Sequence, residues 1–387
     1  MDASSTATAI VHRLESCLQS VFDSRRGGQA SSSPTPAPTF IWRDDAAYAG
    51  ALQAYRQSSL ALADVVTKFS IVIKTDPEDQ VLESILEELD ISISAIVPAY
   101  EELAKVDSLG APLRKFVADS MSGLLYQLLE YLRHAKDRRF QNVNVSTGMI
   151  WKAIDDAKNL PAGNKMAYKR FVLSKVGVVK DTIREFQELL DQGGAVLKPE
   201  ESPADPEDQA SVDDEERYTD EEKVAVSRAL ALMAVGAQYL KILSNLMVSV
   251  ADRLHACNDS ATLSTVFSSA LSLVAGGGSS VGDSSSGAEV CRQWVLALSE
   301  HCRLLEDVCI DLGSELYSPV DESAANEYYL KMHSELGAVN ATLEAYSTLL
   351  SAEESVQRQL LLSSFTGLPA ALASEGGGCS PGGESDL

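Results

Sequence analysis

The sequence is short of the residue types that usually build catalytic and metal sites. Its 387 residues include five histidines and six cysteines. No CxxC pair, no HExxH motif and no GKS or GKT sequence is present. The scattered cysteines exclude the disulfide framework of a small secreted domain and favour a reducing compartment. We therefore predict a protein without enzyme activity and without a cofactor.

Basic residues and long apolar runs are also scarce. The chain has 32 Lys and Arg against 56 Asp and Glu, a net charge of −24 at pH 7, which would repel the phosphates of a nucleic acid. No stretch approaches the ~20 consecutive apolar residues of a membrane span. The N-terminus lacks the basic start and unbroken apolar core of a secretion signal. We expect a location in cytoplasm and nucleus, with no direct nucleic-acid binding and no membrane partner.

Three low-complexity stretches divide the chain. Residues 27–38 and 276–287 are rich in Gly, Ser and Pro, which disfavour regular structure. Residues 199–222 hold twelve acids and one base, a local charge of −11, as in a solvated linker. These breaks predict an N-terminal helix with a Pro/Ser linker (1–38), an N-terminal helical bundle (39–193), an acidic linker (194–218), a C-terminal helical bundle (219–366) and a disordered tail (367–387).

Between these breaks the hydrophobic pattern has a helical period. The best example is a stripe spaced 4, 3, 4, 3 and 4 residues apart: Val172, Val176, Val179, Ile183, Phe186 and Leu190. Capping boxes are predicted at Thr75 with Glu78 and at Thr219 with Glu222. We predict an all-α fold of two bundles, with helices over 5–24, 40–74, 77–106, 110–138, 147–158, 162–192, 220–257, 260–274, 288–316, 321–351 and 353–365.

One segment of the first bundle would also suit a buried strand. Residues 65–73 are mostly β-branched or aromatic. A lone strand among helical patterns would have no strand to pair with. The helix over 40–74 is therefore favoured.

The cysteines near residue 300 have two interpretations. Cys291, Cys302 and Cys309 are spaced 11 and 7 residues apart and have His301 beside them, so the thiols share one helical stripe. Such a stripe is typical of core packing. The same residues would also be the best metal or redox candidates in the chain, although tetrahedral zinc needs ligands that converge from more than one direction. Core packing is favoured and no metal is predicted; stoichiometric zinc in the purified protein would reverse that.

Charge is unevenly distributed along the chain. Residues 110–184 hold fourteen bases and six acids, a local charge of +8. This region is either a solvated helix surface or a patch that receives an acidic partner or the acidic linker. The linker itself is either a spacer or a docking segment for a basic partner. The candidate partner-binding residues are the densest charges in the two regions: Arg133, Lys136, Arg138 and Arg139, and Asp213, Asp214, Glu215 and Glu216.

A series of short motifs resembles a known family. The series runs through Gly148-Met149-Ile150-Trp151, Leu160-Pro161, Asn164-Lys165 and Val179-Lys180-Asp181. Similar features are Phe40, Trp42, Leu113-Arg114-Lys115 and the acidic segment that ends in Tyr218-Thr219-Asp220-Glu221-Glu222. In this order they resemble the cyclin-D-binding protein family, also called GCIP, over most of residues 40–260. The Gly-rich loop at 276–287 and the Gly-rich tail depart from that family's pattern.

The resemblance implies a non-enzymatic, all-helical interaction protein of cytoplasm and nucleus. Relatives bind D-type cyclins and helix-loop-helix regulators and act as negative regulators of cell-cycle progression and transcription. The family has no catalytic residues to carry over to this chain. The alternative is a cytoskeletal or adhesion-type helical-bundle scaffold, because tandem bundles serve that role too. Recovery of a cyclin with the protein would favour the first, and co-sedimentation with actin or membranes the second.

Overall fold

A computed structural model of the chain describes residues 3–27, 40–43, 45–75, 78–136, 143–192, 218–256, 287–347 and 350–366. The described residues form α-helices and one 3₁₀ turn, with no strand among them, so the all-α prediction is confirmed. The chain divides into two compact units, Met1–Tyr168 and Lys169–Leu387. The predicted helix at 260–274, residues 194–217 of the acidic linker and the tail lie outside the described residues. Tyr218, the last residue of the predicted linker, is buried, and its hydroxyl donates to the Leu316 carbonyl at 2.6 Å.

The first unit is built from five helices among the described residues. They are α1 (Ala3–Gly27), α2 (Ala46–Val72), α3 (Asp79–Ala104), α4 (Ala111–Lys136) and α5 (Val143–Lys158). Helices α2 to α5 close a ring, in which α2 packs on α3 and α5, and α4 packs on α5 and α3. Helix α1 lies against both α3 and α4. The sequence placed residues 1–38 outside the first bundle, whereas α1 packs within this unit.

The segment with strand-like composition is helical because its apolar residues are buried at helical spacing. Leu62, Val66 and Phe69 are buried on one face of α2. The helix continues through the 3₁₀ turn Ile73–Thr75, and Ile73 is buried too. Packing on a helical face outweighs the intrinsic strand preference of β-branched residues, which is context-dependent.

Of the two predicted capping boxes, one forms and one does not. At the start of α7 (Asp220–Ala256), the Thr219 backbone N–H donates to Glu222 Oε2 at 2.7 Å and the Glu222 N–H donates to Thr219 Oγ1 at 3.2 Å. The prediction at Thr75 is wrong. The Thr75 hydroxyl donates to the Val72 carbonyl at 2.7 Å, and α3 begins after Glu78 without a side-chain cap.

The second unit is organised around α7. Its other complete helices among the described residues are α8 (Gly287–Ser314), α9 (Glu322–Ala345) and α10 (Ala352–Thr366). Helix α7 packs on α8, α9 and α10, and α9 also packs on α8 and α10. The Trp294 indole N–H of α8 donates to the Met247 carbonyl of α7 at 3.2 Å, and its ring lies 4.6 Å from that of Tyr346. Aromatic packing of this kind fixes the spacing of neighbouring helices.

Helix α6 (Asn164–Asp191) begins in the first unit, and its residues from Lys169 onward belong to the second. The sequence assigned this whole helix to the N-terminal bundle. In the structure the ring of Phe186 lies 4.9 Å from the ring of Tyr317, which follows α8. The Tyr317 hydroxyl also donates to the carboxylate of Glu185. Val172, Val176, Val179 and Phe186 of the predicted stripe are buried, and Phe186 lies close to Gly313 of α8.

Helix α7 is long and apolar enough to cross a membrane by length and composition, although the sequence shows no unbroken apolar run. Within its most apolar 18-residue window, 56% of the residues are buried inside the structure. One such helix is weak evidence of a membrane span, because the core helix of a bundle has the same composition.

Candidate functional site

Of the eight charged residues predicted to bind a partner, the structure describes the side chain of one. Arg133 lies exposed on α4, where its guanidinium donates to Glu130 at 2.8 Å and to Glu15 of α1 at 2.9 Å. The hydrogen bonds that it donates to the two carboxylates raise the pKa of Arg133. The side chain of Lys136, and Arg138, Arg139, Asp213, Asp214, Glu215 and Glu216, lie outside the described residues. Their role in binding remains a prediction.

Asn164, the first residue of the Asn-Lys pair in the family resemblance, lies at the centre of a buried polar cluster. We call Asn164 and its hydrogen-bond partners the hub. The Asn164 amide nitrogen donates to the carbonyls of Ile41 and Ser108, at 2.7 and 2.8 Å, and its oxygen accepts from the Gly110 N–H at 2.7 Å. Asn164 is only 3% exposed, so these bonds replace water for backbone groups that would otherwise be unpaired. One amide thus joins the segment before α2, the α3–α4 connection and the start of α6.

The hub extends into the cap of α2. Asp45 accepts from the Tyr48 N–H at 3.1 Å and from the Ser108 hydroxyl. The Tyr48 hydroxyl donates to the Pro161 carbonyl at 2.7 Å, and Arg56 donates to the Leu160 carbonyl at 3.0 Å. The Leu160-Pro161 turn is therefore fixed by side chains of α2.

An aromatic cluster covers the hub. Trp42 and Tyr168 are buried, with ring centroids 6.1 Å apart, and Phe40 lies 6.2 Å from Trp42. The motif residues Phe40, Trp42 and Asn164 thus meet in space. The sequence showed these residues as motifs in the expected order. It did not indicate that they pack together, because the residues that meet are more than a hundred positions apart in the chain.

Gly110 is required where the hub meets this cluster. A Cβ at Gly110 would lie 2.7 Å from Tyr168 Cε2 and 2.9 Å from its hydroxyl. We expect Gly110→Ala to lower the free energy of unfolding by about 1–3 kcal/mol, since the buried ring would have to shift. Gly123, exposed within α4, has nothing within 4 Å of its Cβ position. Gly123→Ala is the matched control and should stabilise by about 0.5–1 kcal/mol; equal midpoints in urea for the two variants would contradict the steric account.

Around the hub the surface carries a cavity and an apolar face. The cavity, about 350 Å³, is open and is lined in part by Trp42, Arg43 and Lys165. On α5, Val145, Met149 and Trp151 are 69%, 42% and 49% exposed. Val145 and Met149 are four residues apart and lie on one side of α5, whereas Trp151 lies roughly 160° around the helix from Met149. An exposed Trp is among the residue types that most often dominate the energy of protein contacts. We call the side of α5 that carries Trp151 the α5 face.

The three cysteines of α8 lie in the core of the second unit. Cys291, Cys302 and Cys309 are fully buried, and burial raises the pKa of Cys291 and of Cys309 to about 12. The Cys291 thiol lies 3.5 Å from the Ala251 carbonyl. These environments fit the core-packing interpretation, because a buried protonated thiol is a poor nucleophile and a poor metal ligand.

His301 takes part in helix packing beside those cysteines. Its Nε2 lies 2.9 Å from the Thr342 hydroxyl of α9, and Nδ1 lies 3.8 Å from Glu335. Burial lowers the pKa of His301, and Glu335 opposes that shift. In the described part of the chain, no three His, Cys, Asp or Glu residues form a metal-binding group.

A largely buried ion pair joins α6 to α8. Glu306 is 5% exposed and pairs with the Lys175 ammonium, which also lies 5.0 Å from the ring centroid of Phe171. Two charges removed from water need each other, because either one alone would be strongly destabilising. The pair therefore has a structural role in joining the two helices and is not an accessible binding site.

A capping box that the sequence analysis missed joins α10 to α7. The Ser351 N–H donates to Glu354 at 2.7 Å, and the Glu354 N–H donates to the Ser351 hydroxyl at 3.3 Å. The same carboxylate accepts from Arg253 at 2.9 Å and from Ser249, both of α7. Burial tends to raise the pKa of Glu354, but the hydrogen bonds from Arg253, Ser249 and Ser351 outweigh it and hold the pKa at about 2.

This lowered pKa gives stability a pH dependence. The folded state favours the Glu354 carboxylate, so its contribution is complete above the ordinary pKa near 4.5 and is lost as the pH falls through about 2. We expect the urea midpoint to fall less steeply between pH 5 and pH 2 in Glu354→Gln than in the unchanged chain. Parallel pH profiles for the two proteins would contradict this prediction.

A second open cavity, of about 440 Å³, lies between the starts of α7 and α9. Its lining includes Val224, Arg228 and Tyr329. The Tyr329 hydroxyl donates to the Ala225 carbonyl at 3.1 Å, which ties α9 to α7 at this position. The cavity brings together no acid–base or nucleophile–base pair among the described side chains. The described lining of this cavity therefore gives no indication of catalysis.

These features are typical of a class of protein, the helical-bundle interaction modules. The polar clusters among the described residues cap helices or hold them together, and exposed apolar side chains remain available for contacts with a partner. Comparison with known proteins then identifies the family that the chain resembles. Residues 55–192 match the family model described as Grap2 and cyclin-D-interacting, N-terminal. The match runs from α2 to the end of α6 and contains Asn164 and the α5 face. The resemblance inferred from the sequence is confirmed.

Two curated relatives are named for cyclin-D1 binding. A cyclin-D1-binding protein 1 homolog of Danio rerio is 29% identical over 136 residues, which are 34% of this chain and 39% of the relative. A protein of the same name from Xenopus laevis is 25% identical over 187 residues, 47% of this chain and 55% of the relative. The matched regions thus span less than two thirds of either relative.

Proposed function

We propose that the chain is a non-enzymatic protein-interaction module that binds a D-type cyclin or a helix-loop-helix factor. By this binding it would act as a negative regulator of cell-cycle progression and transcription, in cytoplasm and nucleus. The observation that carries the proposal is the family match over residues 55–192, together with two relatives whose names describe cyclin-D1 binding.

The α5 face is the surface of the matched region that best suits such a partner. It lies on a helix that is anchored in the first unit by buried Ile150 and Ile154, and the hub fixes the turn that follows this helix. A rigid support lowers the entropic cost of binding. Trp151 is the residue type most enriched among those that dominate binding energies. We expect the cyclin to cover Trp151.

The test is a titration of the purified full chain with a purified D-type cyclin, followed by calorimetry. We expect Trp151→Ala to weaken binding at least tenfold, because an aromatic anchor would be lost from the contact. Leu330→Ala is the matched control. Leu330 is 74% exposed on α9 and lies outside the matched region, so its truncation should leave the affinity unchanged.

Three results would count against the proposal. Absence of binding to a D-type cyclin and to a helix-loop-helix factor, by a chain with intact helical circular dichroism, would contradict the function. Equal losses in Trp151→Ala and Leu330→Ala would contradict the assignment of the α5 face. Microscopy that finds the tagged chain outside both cytoplasm and nucleus would contradict the proposed location.

A further inference from the structure

Helix α6 carries much of the positive charge that the sequence shows over residues 110–184. Between residues 169 and 184 its exposed bases are Lys169, Arg170, Lys180 and Arg184. The only acid in this stretch of the sequence is Asp181, so four exposed bases stand against one acid. We call the surface formed by these four bases the α6 basic face. All of it belongs to the second unit, which begins at Lys169.

The α6 basic face is a continuous stripe on the exposed side of the helix. Lys169, Leu173, Gly177, Lys180 and Arg184 follow one another at spacings of 4, 4, 3 and 4 residues, and all five are exposed. Such spacings place residues along one side of a helix, here over about 22 Å. A Cβ at Gly177 would have no neighbour within 4 Å. The middle of the stripe therefore has room for an extended chain.

The positive charge of the face is poorly neutralised by its surroundings. Within the part of the chain that the structure describes, neither Lys169 nor Lys180 forms an ion pair. Arg184 lies 3.0 Å from Asp181 and 3.9 Å from Glu188, but these side chains are 64–69% exposed. Exposed pairs of this kind are weak and are readily replaced by other carboxylates.

The acidic linker leaves and rejoins the described chain beside the same helix. It follows α6 after Gln192, and the described chain resumes at Tyr218. The Tyr218 hydroxyl donates to the Leu316 carbonyl, and the next residue, Tyr317, has its ring 4.9 Å from that of Phe186 in α6. Both ends of the linker are therefore held near the C-terminal part of α6.

The length of the linker allows it to run along the whole basic face. Residues 193–217 separate the two ends and reach about 80 Å when extended. The distance along α6 from its end at Asp191 back to Lys169 is about 33 Å. The linker can therefore pass out along the face to Lys169 and return to Tyr218.

Charge determines which part of α6 attracts the linker. Residues 199–216 hold nine acids and no base. The last turns of α6 are acidic and exposed, with Glu185, Glu188 and Asp191, and they repel such a segment. The stretch from Lys169 to Arg184 attracts it.

The weakness of exposed ion pairs favours an occupant from the same chain. Each pair strengthens binding only a few-fold, so four bases hold a free acidic peptide weakly. A segment tethered at both ends has an effective concentration of about a millimolar. That concentration is enough to fill a site which a dilute protein would leave empty.

We propose that residues 199–216 bind the α6 basic face of their own chain. The segment places its carboxylates against Lys169, Arg170, Lys180 and Arg184, and the contact weakens as salt screens the charges. While it is bound, acidic segments of other proteins are kept from this face. The proposal goes beyond cyclin binding and does not depend on which protein covers the α5 face.

The first test is zero-length cross-linking of the purified full chain with a carbodiimide, which joins a carboxylate to an amine in contact with it. At low salt, mass spectrometry should find acids of residues 199–216 joined to Lys169 and Lys180. Lys241, an exposed lysine of α7, is the internal control and should give at least about fivefold fewer such products. Salt at about 0.5 M should reduce the Lys169 and Lys180 products.

The second test is competition by a labelled peptide of residues 199–216, followed by fluorescence anisotropy at low salt. In one variant of the full chain, each Asp and Glu of residues 199–216 becomes Asn or Gln. The peptide should bind this amide-linker chain at least about tenfold more tightly than the unchanged chain, because its internal competitor is gone. Lys169→Glu with Lys180→Glu should abolish that binding, and Lys241→Glu is the matched control that should preserve it.

Three results would overturn the proposal. The first is an equal yield of cross-links to Lys169, Lys180 and Lys241. The second is equal peptide affinity for the unchanged and amide-linker chains. The third is cross-links that join isotope-labelled to unlabelled chains, which would assign the face to a second copy. None of these measurements uses a cyclin, so their failure would leave the proposed function standing, and failure of cyclin binding would leave this contact standing.

Discussion

Replacing Glu306 by alanine is expected to lower the free energy of unfolding by about 3 kcal/mol. The substitution would leave the Lys175 ammonium largely buried without its carboxylate, and breaking a buried pair from one side typically costs about 3–5 kcal/mol. The lower end applies because Lys175 keeps 19% of its side chain exposed and lies over the ring of Phe171. Urea denaturation followed by circular dichroism measures the change.

Two further variants separate the unpaired charge from simple loss of packing. Lys175→Met combined with Glu306→Leu removes both charges and should recover most of the lost stability, since apolar side chains of similar volume can replace a buried pair. Glu300→Ala breaks the exposed pair with Arg303 and should cost less than about 1 kcal/mol. A double variant no more stable than Glu306→Ala would contradict the charge explanation.

Replacing Asn164 by leucine should have an effect of similar size on the first unit. Its amide donates to the carbonyls of Ile41 and Ser108 and accepts from the Gly110 N–H. Each buried backbone group left unpaired costs about 1–3 kcal/mol. We expect a loss of at least about 3 kcal/mol, measured as a shift of the urea midpoint. Asn144→Leu, at an exposed position of α5, should change stability by less than about 0.5 kcal/mol.

The isosteric variant Asn164→Asp tests whether the hydrogen bonds donated by Asn164 are the cause of this stability loss. The carboxylate can still accept from the Gly110 N–H but cannot donate to the two carbonyls. It should therefore destabilise the chain even though its shape is unchanged. If Asn164→Asp matched the unchanged protein at pH 7, the hub would not depend on the donated hydrogen bonds.

Periodicity predicted the helices well because it follows directly from burial. Four of the six residues in the stripe from Val172 to Leu190 are buried, and Ile183 and Leu190 are partly buried. The bounds of α7 to α10 fall within a few residues of those predicted, apart from the end of α9 at Ala345. Periodicity carries no information about which surface a stripe meets. For that reason the sequence placed all of α6 in the N-terminal bundle, whereas residues from Lys169 pack in the second unit.

Capping and hub residues show where local patterns fail. Thr75 and Thr219 have the same local signature, yet only Thr219 caps a helix, because a 3₁₀ turn extends α2 and takes the Thr75 hydroxyl. The hub of Asn164 depends on partners more than fifty residues away. Such partners become neighbours only after the bundle forms. The family motifs marked these positions without giving their contacts.

The division into two units has a consequence for any fragment made from the chain. Residues 55–192, the region of the family match, leave out α1 and the start of α2 but include the part of α6 that belongs to the second unit. A fragment with these bounds would expose Val172, Val176, Val179 and Phe186, which are buried in the full chain, and exposed apolar stripes promote aggregation. Expression of residues 1–168 should avoid this, because that range ends where the first unit ends.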